Sequence, residues 1–174
     1  MTSATTTLTG ERADILETLA AHRYFLRHTV QGLTDEQARQ RTTVSELTLG
    51  GLLKHVAAQE EAWVRFVLDG PSSMPGPDDA EQMAKWAAEF QMGPDETLEA
   101  ILARYEDVAR RTDELVRTIP DLDASHPLPE APWFEEGAVR SARRVFLHIV
   151  AETAQHAGHA DILRESLDGQ KTMG

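Results

Sequence analysis

Cysteine is absent from the 174 residues, which excludes a disulfide framework, a thiolate metal ligand and a cysteine nucleophile. Any thiol chemistry must bring its own thiol. Long apolar runs are missing too: none approaches the roughly 20 residues of a membrane span. The opening TSATTT followed by charged ERAD has no signal-peptide core. The chain reads as soluble, cytoplasmic and without a membrane partner. Positive charge is scarce, with 17 Lys and Arg against 29 Asp and Glu for a net charge of −12. Surfaces that track phosphates are built from clustered Lys and Arg, so nucleic acid is not an expected partner. Sustained strand alternation is also lacking, whereas helical periodicity recurs. The fold class is therefore all-α, and the length suits one domain over residues 1–174.

The first helix is expected from about Glu11 to Gln31, with Ile15, Leu19, His22, Leu26 and Thr29 on its inner stripe. Thr34 and Gln37 have capping-box spacing and open a short turn. A second long helix begins around residues 46–48 and runs to Leu68, stopped by Asp69, Gly70 and Pro71. Leu52, Val56 and Trp63 face inward on it, with His55 on the shoulder of that stripe beside Gln59 and Phe66. Residues 71–94 read as a Pro-, Gly- and Asp-rich crossover with a short amphipathic piece around Ala80–Phe90, able to lid a pocket. The third long helix covers about Asp95–Ile119. Residues 120–137, with three prolines around Trp133 and Phe134, read as an ordered loop. The last helix runs from about Ser141 to Leu167 with Gly169 as its cap. Together these describe a four-helix bundle with a long crossover between its second and third helices.

Chemistry concentrates in HIVAETAQHAGHADILRE, residues 148–165, which puts three histidines and a glutamate on one predicted helix. His148, Glu152 and His156 are spaced four apart, so consecutive members share a face with Cβ atoms about 5–6 Å apart. At about 100° per residue, Val145, Ile149, Leu163 and Leu167 define an apolar arc. Glu152 and His156 fall near its centre, and His148 and His159 toward its edge. A carboxylate inside an apolar stripe needs a partner or a metal. The readings are a divalent metal site or a buried Glu–His or Glu–Arg pair. Adding His55 from the second helix gives two histidines and one carboxylate, which leaves coordination positions open and suits catalytic Zn²⁺. Ni²⁺, Fe²⁺ and Mn²⁺ also accept this set. Arg140, Arg143 and Arg144 form a basic knot before this helix. It is either a solvated face or a receptor for a carboxylate or phosphate on a small ligand, with Arg144 the candidate contact. Asp161 and Arg164, three apart, read as a surface pair.

TLGGLLKHVAAQEEAWVRFVLDG (48–70) together with RRVFLHIVAETAQHAGHADILRESLDG (143–169) resembles the DinB-like metal-binding bundle superfamily. Within it, the chain is most similar to the actinobacterial mycothiol-dependent branch of mycothiol S-transferases and mycothiol-dependent maleylpyruvate isomerase. The resemblance implies a divalent metal, usually zinc, on His55, Glu152 and His156, and glutamate at position 152 is the form seen in the isomerase branch. The chain departs from the family pattern at QEEAW (59–63), where relatives often carry a basic residue before the tryptophan.

The activity so implied is thiol S-transfer: mycothiol places its sulfur on the open metal position, becomes a thiolate and attacks an electrophile, a detoxification chemistry. The partners are a small-molecule thiol and an electrophile, with homodimer formation left open. His148, His159 and His22 are the candidates for orienting the metal ligands or moving the thiol proton. Two alternatives remain. A metal-dependent hydrolase would activate water on the same site, although HExxH is missing and Glu60 is the nearest candidate base. A non-catalytic stress protein would only bind metal or thiol.

Overall fold

The computed structural model describes residues 8, 10–74, 80–132 and 134–172. In chain order the elements are α1 (Glu11–His28), α2 (Asp35–Arg39), α3 (Leu49–Asp69), α4 (Ala80–Ala88), α5 (Leu98–Thr118), β1 (Ser125–Pro127), β2 (Val139–Ser141) and α6 (Ala142–Asp168). A 3-10 turn over Gly70–Ser73 follows α3 directly. The fold is mostly helical, in line with the all-α expectation. Helix α1 packs on α6 and α5, and α3 packs on α5 and α6. No described helix is long and apolar enough to cross a membrane.

Local side-chain chemistry sets the helix ends. The Thr34 hydroxyl accepts from the Gln37 N–H while the Gln37 side chain accepts from the Thr34 N–H, a reciprocal capping box. Thr48, Thr97 and Ser141 each accept the N–H three residues on, opening α3, α5 and α6. Gly169, left-handed at φ 81°, closes α6 at the expected position.

The first helix is shorter than expected, ending at His28, and Arg164 satisfies carbonyls in the turn that follows it. Its guanidinium donates to Thr29 O at 2.8 Å and to Gln31 O at 2.9 Å. Arg164 is buried and also paired with Asp168. The surface pair expected with Asp161 is therefore not formed, and Asp161 instead accepts the Thr172 N–H. The segment read as a loop over 120–137 contributes a strand: Ser125–Pro127 pairs antiparallel with Val139–Ser141, with His126 opposite Arg140. Three residues per strand are too few to show alternation. Trp133 of the expected Trp133–Phe134 pair lies outside the described residues, as do residues 75–79 of the crossover.

Two apolar clusters fill the interior. One gathers Leu26, Leu52, Leu53, Val56, Ile101, Tyr105, Ala157 and Leu163. The other gathers Leu19, Trp63, Phe66, Val116, Val145, Phe146 and Ile149. Along each long helix a buried polar residue falls between them: Arg23 on α1, Glu60 on α3, Thr112 on α5 and Thr153 on α6. Arg23 grips both Glu60 oxygens, one through Nε at 3.3 Å, and donates to Asp113 at 2.7 Å. The Glu60 side chain is fully buried, so this pair ties α1 to α3 under desolvated conditions.

Removing the cation alone strands that carboxylate. Arg23→Met is expected to lower unfolding stability by about 3–5 kcal/mol, read as a drop in the urea midpoint at unchanged slope. The double change Arg23→Met with Glu60→Leu is expected to recover most of the loss. A single variant within 1 kcal/mol of the parent would refute the load assigned to this pair.

Candidate metal centre

His55, Glu152 and His156 converge where α3 faces α6. Each offers one ligand atom, and the three atoms lie within 4.8 Å of one another. His55 comes from the second turn of α3 and is buried, with its ring edge-on to His156 at 4.9 Å between centroids. Glu152 and His156 come from one face of α6, with His156 Nε2 3.5 Å from Glu152 Oε2. The structure thus brings these three residues together.

Their electrostatics suit a cation. Burial, then the charge of His156, pushes His55 down to about 4, so its imidazole is neutral and able to ligate at neutral pH. Hydrogen bonding to His156 holds the Glu152 carboxyl below its ordinary range despite partial burial. His55 Nδ1 is buried without a hydrogen-bond partner. A buried orphan nitrogen beside an ionised carboxylate and a second imidazole is a donor set that a divalent ion would satisfy.

One detail of the wheel is corrected. Glu152 is half-buried and flanks the inward line, which runs instead through Val145, Ile149, Thr153 and His156. The small Thr153, its hydroxyl bonded back to Ile149 O at 2.8 Å, takes the central position. Glu152 therefore sits where the interior meets solvent.

The flanking histidines are brought to the cluster. His148 Nε2 is 3.6 Å from Glu152 Oε1, and its ring lies edge-on to Trp63 at 4.8 Å. Burial lowers the His148 pKa, with Arg140 and Arg144 adding to the fall and Glu152 opposing it. His159 Nδ1 faces His156 Nδ1 at 3.5 Å. His22 stands apart, its ring beside Phe25 at 6.3 Å, and makes no hydrogen bond or ring contact with the cluster among the described residues. Arg144 is exposed on the first turn of α6. Glu60, the base that a hydrolytic reading would use, is sealed in its pair with Arg23.

Phe90 was not anticipated at the site. Its ring stacks on His55 at 3.8 Å and 20° between planes. The reason lies in Gly50 and Gly51 of α3: a Cβ at Gly51 would overlap the Phe90 carbonyl, and one at Gly50 would come within 2.7 Å of Met92 Sδ. Two glycines inside a helix carry a propensity cost, and that cost was the signal that something packs there. A cavity of about 940 Å³ between the end of α1 and the start of α5 includes none of the cluster residues.

A family model described as mycothiol S-transferase matches residues 14–169. That span holds both helices that supply the cluster. No curated protein matches the chain.

Elemental analysis after loading with zinc and desalting is expected to show about one metal per chain in the parent and a loss of roughly tenfold or more in affinity for His55→Ala, Glu152→Ala and His156→Ala. Full occupancy in any one of them removes that residue from the ligand set. Gly51→Ala, which touches no ligand, is expected to displace Phe90 and weaken zinc binding in competition with a chromophoric chelator. Unchanged affinity would separate the glycine seat from the site.

Proposed function

The chain belongs to the mycothiol S-transferase family, and from that premise we propose that it is an enzyme joining mycothiol to an electrophilic small molecule at the His55–Glu152–His156 centre. The observation that carries this reading is the three-residue donor set, gathered within 4.8 Å and containing a buried orphan nitrogen. The proposed frame is a single DinB-like four-helix bundle, with residues between α3 and α5 as its crossover, working in the cytoplasm in detoxification.

His55, Glu152 and His156 would hold a divalent ion, zinc foremost and Ni²⁺, Fe²⁺ or Mn²⁺ as competitors, with positions left for an incoming ligand. When bound, that ion supplies the positive charge that favours a thiolate over a thiol at neutral pH. The chain's own part is to position and to move a proton. His148, against Glu152, and His159, against His156, fix the orientation of those side chains and stand ready to take the thiol proton. Phe90 covers one face of His55 and limits water there. In the transfer the thiol gives up its proton, sulfur forms a bond to the electrophilic carbon, and the leaving group departs with the electron pair of the broken bond. Because the chain contains no cysteine, the sulfur that reacts belongs to the co-substrate.

Zinc-loaded protein mixed with mycothiol and monochlorobimane is expected to form the fluorescent conjugate faster than the uncatalysed background. His156→Ala or a strong chelator should lower that excess rate by roughly a hundredfold. Conjugation that persists in His156→Ala overturns the site assignment. Absence of any metal-dependent conjugation across a panel of electrophiles overturns the transferase reading in favour of a binding protein.

A further inference from the structure

Arg140 is the middle residue of β2, opposite His126 of β1. Opposed residues of an antiparallel pair share a face of the sheet. His126 marks where that face is directed: its Nε2 donates to Val67 O at 3.2 Å and its ring meets Phe66 at 5.8 Å, both at the end of α3. The hairpin accordingly lays the Arg140 guanidinium over the Trp63 ring, 4.8 Å from its centroid, and 5.6 Å from the ring of Phe134. Trp63 meets His148 edge-on, and His148 meets Glu152. The Trp63 indole and the His148 imidazole lie in succession between this cation and Glu152.

The guanidinium is not otherwise satisfied. Arg140 Nη1 is buried without a hydrogen-bond partner, the one arginine nitrogen in that condition among the described residues. Its neighbour Arg143 is taken by Glu11 and Asp123, and Arg164 by Asp168 and the backbone after α1. Arg140 has no carboxylate within ion-pair distance among the described residues. Burial first, and then the charge of Arg144, lower its pKa, the direction expected of a cation without a counter-ion. Acidic residues outnumber basic ones by 29 to 17, so an uncompensated, half-buried arginine beside a reaction centre is not explained by a shortage of partners. Leaving such a group unpaired costs free energy that a ligand's anion would recover.

We infer that Arg140 is a substrate-binding residue that receives a carboxylate of the electrophile. The assignment to the electrophile rests on the thiol-transfer reading, since mycothiol is a neutral amide-linked sugar thiol with no carboxylate. Two aromatic rings lie beside the guanidinium, and a planar carboxylate accepts two parallel N–H bonds from an arginine edge. A carboxylate held there lies on the far side of Trp63 and His148 from Glu152. Arg144, exposed on the first turn of α6, adds positive potential beside Arg140.

Binding and turnover test this separately. Isothermal titration of acetate, acetamide and inorganic phosphate into the zinc-loaded full chain is expected to show acetate binding and no acetamide binding. Arg140→Gln should weaken acetate roughly tenfold to a hundredfold, Arg140→Lys should weaken it less, and removing zinc should leave it in place. Acetate binding that vanishes with zinc and survives Arg140→Gln puts the anion on the metal and overturns the inference. Phosphate binding more tightly than acetate through Arg140 overturns the carboxylate class. In turnover, iodoacetate and iodoacetamide present the same reaction, in which sulfur bonds to carbon, iodide leaves and the thiol proton passes to buffer. The ratio of kcat/KM for iodoacetate over iodoacetamide is expected to fall tenfold to a hundredfold in Arg140→Gln, and an unchanged ratio overturns the inference. Arg140-dependent acetate binding without transfer to either reagent refutes the transferase reading while leaving the anion site standing.

Discussion

A helical core can take in ionisable groups only if each finds its counterpart there, because desolvation is otherwise too costly. This chain meets that constraint twice at neighbouring levels of the same helices. At the first, Arg23 and Glu60 close on each other between two apolar clusters, and the account balances within the protein. At the second, His55, Glu152 and His156 converge with a buried nitrogen left over. The two levels are adjacent because Glu60 follows His55 by little more than a turn on α3, and Thr153 follows Glu152 directly on α6. A closed polar pair stiffens the helices, while the open set beside it is held ready for a ligand.

The closed pair also narrows the chemistry available to the open one. A metal-activated water needs a base close by that is free to accept a proton. Glu60, the carboxylate nearest on α3, is committed to Arg23 and fully buried. The groups beside Glu152 and His156 are His148 and His159. Imidazoles suit removal of a thiol proton, and they also suit plain orientation of Glu152 and His156. The pairing with Arg23 removes Glu60 as the base for a metal-activated water.

How much of this was legible in the chain follows from how local each signal is. The capping box at Thr34 and the cap at Gly169 are statements about a few consecutive residues, and they fell where spacing put them, while α3 and α6 open at Thr48 and Ser141 within the expected starts. The Glu152–His156 pair is equally local, a single i, i+4 step on one helix. Arg23 carried a usable signal as well, sitting four after Leu19 and three before Leu26, both fully buried. What spacing does not contain is the reach of a long side chain across the fold. Arg164 looked like half of a surface pair with Asp161, yet its guanidinium crosses to the carbonyls in the turn after α1. The hairpin was illegible because each of its strands has only three residues.

Both segments that periodicity described worst turn out to furnish the walls of the site. The connection after α3 delivers Phe90 onto His55, and it does so because Gly50 and Gly51 remove the two side chains that would stand in its path. The connection after α5 returns as a hairpin that lays Arg140 across Trp63. The helices thus set the positions of His55, Glu152 and His156, which cannot shift without repacking two apolar clusters. The connections determine what reaches the centre, since they lie outside those clusters and their sequences can change at smaller cost. In such a division, the helical core can stay fixed while the connections around it change. The residues to compare among relatives are those facing Phe90 and Arg140, where one wall is apolar and the other carries an unpaired charge.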